Sequence, residues 1–255
     1  MTKAVFVFWS VCLFSFTVRA DPSEGATGLH HRVYRSYVEG NVTLWAETIE
    51  QYEQLYAAWS RTEDLYSLLL ARYGYTGSAL ERGEKTVARA HLSRARRELE
   101  LLMHHSEGDA RAWALRGGIK GFHILLRPLE ALRLGPESSR ALDHALELDP
   151  REPLAWLERA NALFHRPALF GGSKEGARDS YREAVRLFEE DLKIREKWLY
   201  LNSLVGLARS LCHIGEIGEG VAVLETVLTI EPDLNWVREK LLPALAAGNC
   251  QGESP

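Results

Sequence analysis

Residues 141–150 read Ala-Leu-Asp-His-Ala-Leu-Glu-Leu-Asp-Pro, and residues 221–232 read Val-Ala-Val-Leu-Glu-Thr-Val-Leu-Thr-Ile-Glu-Pro. Both runs end on an acidic residue followed by proline, Asp149-Pro150 and Glu231-Pro232. Proline disfavours helical backbone in the residue before it, so each run predicts a helix that stops at a fixed point. Working outward from them, small residues recur seven apart around a large apolar one. The sets are Ala88, Leu92 and Ala95; Ala177, Tyr181 and Ala184; and Gly220, Leu224 and Val227. Small side chains at that interval let two helix backbones approach closely at a crossing.

The rest of the chain reads the same way. Val42, Trp45, Ile49, Tyr52, Leu55, Tyr56 and Trp59 fall three to four residues apart and predict one helix over 41–59. A second is expected over 62–80, with Glu63 and Asp64 favourably placed against the dipole of its first turn. A third is expected over 84–104. Prolines and glycine clusters separate these segments, and no long stretch alternates with period two, so the expected class is all-α.

The paired segments resemble the tetratricopeptide repeat family. The last pair carries Leu204, Leu207, Ala208, Leu211, Gly215, Gly220, Leu224, Val227 and Pro232. The pair before it offers Trp156, Ala160 and Leu163, then Ala177, Tyr181 and Ala184. An earlier pair offers Trp113 and Gly117, then Leu142, Ala145 and Pro150, and the first centres on Ala88, Leu92 and Ala95. Equivalent positions 95, 145, 184 and 227 are 50, 39 and 43 residues apart, against a family period of about 34. The resemblance implies a right-handed array of antiparallel helix pairs over 41–247, with stretched turns and a capping helix over 234–247 in which Pro243 marks a bend or end.

It also implies that the first helix of each pair lines a concave groove. The groove positions then include Arg111, Ala114, Gly118, Gly121 and Phe122; Leu154, Leu157, Asn161, Phe164 and His165; and Asn202, Val205, Arg209, Cys212 and His213. Arg111, Phe122, Asn161, His165, Asn202, Arg209 and His213 are the candidate binding residues. Arginine and asparagine suit a peptide backbone or a carboxylate. The function so implied is a protein-interaction scaffold that takes a peptide or partner protein. The stretch from Leu169 to Val185, LFGGSKEGARDSYREAV, is similar to the tetratricopeptide-like T component of TRAP-type solute transporters. That similarity implies the alternative, an accessory protein binding a small organic ligand.

The segment from Arg166 to Ser173 has two readings. A glycine-rich turn before a helix is a ready anion site. Against that, no strand precedes Gly171-Gly172 and no Gly-Lys-Ser/Thr follows. The favoured expectation is a tight turn, with Leu169 and Phe170 plugging the core and Ser173 capping the next helix.

Lys3, the apolar run over 4–18 and the small residues Val18 and Ala20 ahead of Asp21-Pro22 have the grammar of a secretory signal peptide. The run is shorter than the roughly 20 residues a membrane helix needs. The expected location is therefore periplasmic or secreted, with residues 21–40 poorly ordered and 248–255 a flexible tail. Removing 1–20 takes away Lys3 and Arg19, and the net charge falls from −4 to −6. That balance, with Arg89, Arg94, Arg96 and Arg97 followed at once by Glu98 and Glu100, speaks against nucleic acid as a partner. Cys212 and Cys250 remain after removal. Cys212 inside an apolar helix reads as a packed thiol, and pairing with Cys250 is the lesser expectation. Asn41-Val42-Thr43 matches a glycosylation site, a short pattern that also occurs by chance.

No chemistry stands out. His30-His31 and His104-His105 are adjacent pairs, and neighbours on a helix point about 100° apart. There is no His-Glu-x-x-His, Cys-x-x-Cys or Gly-x-Ser-x-Gly. The expectation is a protein without cofactor, metal or catalytic residues.

Overall fold

The computed structural model describes residues 22–250, and every regular element among them is helical. The predicted signal peptide and the end of the tail, 251–255, lie outside the described residues. The elements are α1 (Pro22–Glu39), α2 (Val42–Trp59), α3 (Thr62–Glu81), α4 (Lys85–His105), α5 (Ala110–Leu126), α6 (Ala131–Leu148), α7 (Pro153–His165), α8 (Lys174–Glu190), α9 (Lys197–His213), α10 (Ile217–Ile230) and α11 (Leu242–Ala246). Consecutive helices pack as pairs, α3 on α4, α5 on α6, α7 on α8 and α9 on α10, and the chain is all-α as expected.

The small residues do the work assigned to them. Ala88, Ala95, Ala145, Ala160, Ala177, Ala184 and Ala208 are completely buried. At Gly206 a Cβ would lie 2.4 Å from the Tyr181 ring, so that helix crossing needs a bare backbone. The stretched period has a local cause. Short 3-10 turns, Pro128–Glu130 and Ala168–Phe170, are inserted inside the second and third pairs, and Ile194–Glu196 between the third and fourth.

Several expectations are corrected. Residues 22–39 are a helix, held by buried Val33, Tyr34 and Val38. The Tyr34 hydroxyl donates to Glu231 at the far end of the chain. Asn41 is the cap of α2, its side chain accepting from the Leu44 N–H at 3.0 Å. Cys212 and Cys250 form a disulfide with Cα atoms 5.4 Å apart. The start of the expected flexible tail is thus tied to α9, and Cys212 faces the C-terminal segment rather than a groove. The expected capping helix is a π-turn, Val237–Leu241, running into α11. Pro243 has no N–H to donate, which accounts for the change of helix type just before it.

The most consequential feature is α3. Every residue from Asp64 to Thr76 is buried, so the helix is enclosed on all sides rather than along one stripe. Fully buried Arg72 ties it to both neighbours on its own side, to Glu98 of α4 at 2.8 Å and to Glu53 of α2 at 2.5 Å. On the other side α3 faces the later helix pairs, and the array curls around it.

Candidate functional site

The candidate groove residues divide into two groups according to what α3 does to them. Along most of its length α3 occupies the concave face. Arg111 on α5 and Arg195 lie against the Tyr66 ring of α3, at 4.3 and 4.9 Å from its centre. Both donate to Glu63, also on α3, at 2.9 and 2.6 Å. These bonds hold the Glu63 carboxyl down at about 2 despite the opposing effect of burial. Phe122 on α5 stacks on Tyr73 of α3 with ring centres 4.6 Å apart. The Tyr73 hydroxyl bonds Glu158 of α7, a fully enclosed carboxyl that burial raises to about 7. A Cβ on Gly74 would meet Trp198 of α9 at 2.8 Å. Arg111 and Phe122 therefore face inward, and what they hold is the chain's own third helix. Leu154, Leu157, Ala114 and Val205 are core. A small pocket beside His30, Tyr52 and Arg195 measures about 10 Å³, room for one water at most.

Past Gly77 the cover ends. α3 stops at Glu81; of the remaining candidates, Asn161, His165, Arg209 and His213 lie in the C-terminal halves of α7 and α9, and Asn202 in the N-terminal half of α9. Asn161, Asn202 and Arg209 are half-buried, while His165 and His213 are exposed. Asn161 is braced from both sides, accepting from the Tyr181 hydroxyl at 2.6 Å and donating to Glu158 at 3.4 Å. Asn202 lies beside the buried hydroxyl of Tyr37. Phe164 is flanked edge-on by His165 and His213, with ring centres at 5.0 and 5.3 Å. Lys174 sits 3.5 Å over the same ring and donates to the Phe164 carbonyl.

The electrostatics of this open end are one-sided. Crowding by neighbouring protein atoms first, then the nearby charges of Lys174 and Arg209, lower His165 to about 4 and push His213 down as well. The His165 imidazole is therefore neutral near pH 7. A carboxyl facing Arg209 is Glu81, which burial raises against the pull of that arginine. Nε and Nη2 of Arg209 are sealed from solvent and have no hydrogen-bond partner. A guanidinium in that state is stabilised by any anionic acceptor that reaches it.

Glu81, Lys174, Tyr37 and Tyr181 were not anticipated here. Lys174 carried a signal, because it follows the Gly-Gly-Ser turn. That turn is tight as expected: Gly171 has φ +86°, and a Cβ on Gly172 would lie 1.9 Å from the Arg166 carbonyl oxygen. Ser173 caps α8, its Oγ accepting from the Gly176 N–H at 2.9 Å. The expectation that Leu169 and Phe170 plug the core is overturned, since they are 88% and 56% exposed. The inserted residues lengthen the turn beyond the helix ends and carry both side chains off the core.

No family model matches the sequence, and no curated protein is recognisably similar to it. Solved structures do match the fold. The HusA haemophore from Porphyromonas gingivalis superposes with a TM-score of 0.64 at 20% identity, over 75% of this chain and 93% of that one. TTC0263, a tetratricopeptide protein of Thermus thermophilus, superposes with a TM-score of 0.54 at 15% identity, over 88% and 98%. The fold is a tetratricopeptide-like helical array. Within that architecture the four pairs from α3 to α10 are the repeats, with α1 and α2 an added pair at the front.

Proposed function

We propose that this chain is a non-enzymatic binding scaffold whose partner docks at the open end of the concave face and places an acidic group on Arg209. The observation that carries this reading is the guanidinium of Arg209, two of whose nitrogens have no hydrogen-bond partner, with Lys174 as a second nearby cation and Glu81 as a facing carboxyl that burial raises. Phe164 supplies an apolar surface beside it. A peptide ending in a free carboxylate after an apolar residue fits this chemistry. The long groove expected for an extended peptide is supported less well, because α3 occupies it. Export to an oxidising compartment belongs to the same proposal, supported by the Cys212–Cys250 disulfide.

The test is a peptide library presented with free and amidated C-termini. Selective capture of free carboxylates, weakened about tenfold or more by Arg209→Met, is expected. Equal capture of amidated peptides, or indifference to the substitution, would end this reading.

A second reading has its own observation. Two imidazoles, His165 and His213, flank an aromatic ring beside two cations. Neutral imidazole binds metals, and cations suit acidic substituents, so a small planar metal-bearing ligand with carboxylates also fits. The similarity to a protein described as a haemophore agrees with it. Titration with haem, followed by its absorption spectrum in the parent chain and in His165→Ala and His213→Ala, separates this reading from the peptide one.

A further inference from the structure

The turns inside the second and third helix pairs share one edge of the array, because the first helices of both pairs run in the same direction and pack side by side. Five large apolar side chains project from that edge. Leu125, Leu129 and Leu132 are 53%, 98% and 76% exposed, and Leu169 and Phe170 join them from the next turn. Isolated exposed leucines are ordinary, but five on two adjacent turns form a patch that calls for a partner.

The charge around the patch says what kind. Residues 120–137 and 165–175 contain Lys120, Arg127, Arg133, Arg166 and Lys174 against Glu130, Glu137 and Glu175, an excess of two basic residues. Arg127 and Arg133 share Glu130 at 3.3 and 2.8 Å and Arg133 also reaches Glu137 at 3.2 Å, so the local balance stays positive. The chain as a whole is negative, at −4. A basic, apolar-tipped edge on an acidic protein matches an anionic lipid surface. Leucine and phenylalanine enter the headgroup boundary, and arginine pairs with lipid phosphate.

We infer that this edge docks the protein on membranes bearing anionic phospholipid, through Leu129, Leu169 and Phe170 as inserted tips. The inference is independent of the ligand proposed for Arg209, since none of the inserted residues contacts it.

The test is co-sedimentation of the full chain with vesicles of phosphatidylcholine alone and of an equal mixture of phosphatidylcholine and phosphatidylglycerol. Binding to the anionic vesicles is expected to be at least about tenfold stronger and to weaken with added salt. Leu129→Asp combined with Leu169→Asp should reduce it by about tenfold or more. Both positions are almost fully exposed, so an unchanged thermal melt is expected and confirms that the variant is folded. Equal binding of parent and variant would assign the membrane affinity to residues 4–18 and overturn the inference. So would equal binding to the two vesicle types. Self-association that the same variant abolishes, with no vesicle binding in the parent, would assign the edge to a second copy of the chain and overturn it as well.

Discussion

Glu158 shows how a single buried carboxyl contributes to the pH response of the fold. Its carboxyl is enclosed between Tyr73 and Asn161 and raised to about 7, mainly by burial. Below about pH 4.5 the group is protonated whether the chain is folded or not, and it has no effect. As pH rises from there towards 7, the unfolded chain releases the proton and the folded chain keeps it. The fold therefore loses stability across that window and gains nothing back above it. Glu158→Gln is expected to be close to neutral at pH 4.5 and to stabilise by about 1–3 kcal/mol at pH 8, measured by urea unfolding at the two values. Arg209 offers a different trade. Its two unpaired nitrogens weaken the fold, so Arg209→Met should leave stability unchanged or raise it by about 1 kcal/mol. Together with lost ligand binding, that outcome would mark the residue as kept for function. Arg209 was legible as a groove position from the repeat pattern. Its lack of a partner was not, because that depends on where α3 ends in space.

At the scale of elements, α2, α3 and α4 were legible to within a few residues from apolar spacing, whereas α1 and the π-turn near the C-terminus were not. Nor were the turns. The stretched period announced insertions, and the structure resolves them into three 3-10 turns whose side chains no periodicity governs. Leu169 and Phe170 show the difficulty: an apolar pair beside two helices reads as core, and only the length of the turn carries it outside. Gly172→Ala tests the turn itself. With 1.9 Å to the Arg166 carbonyl oxygen, a methyl group must displace backbone. The loss should be about 2 kcal/mol or more by equilibrium unfolding. The C-terminal segment rests on its disulfide. The bond closes a loop with a sequence separation of 38, and on the chain-entropy account its removal by Cys212→Ser with Cys250→Ser should cost about 4 kcal/mol. Hydrogen exchange should rise first over 234–247.

At the scale of the molecule, the sequence pattern implied an open solenoid with a vacant groove, and the curl around α3 changes that. Nothing local distinguishes α3 from the other first helices except its lack of a polar face. Seeing that it contacts α9 requires the superhelix to be closed, a property of the sum of small rotations between pairs. Trp198 is the keystone of this closure, with ring centres 5.9 Å from Trp45 and 6.0 Å from Tyr37. Trp198→Ala should cost about 3–5 kcal/mol. Because α3 bridges repeats distant in the chain, unfolding should be a single transition, with tryptophan fluorescence and far-UV circular dichroism coinciding, where an open array of this length would fray from its ends.

The same central helix has a mechanical consequence. An unbraced stack of helix pairs yields to tension by small rotations at each joint, much as a coil spring lengthens. Here α3 is enclosed among its neighbours and tied to them by Arg72 and Glu63, and Tyr34 clasps the far end of the chain through Glu231. Pulled along its length, the molecule should resist with little give and then fail in one event, so that its elasticity is closer to a strut than to a spring.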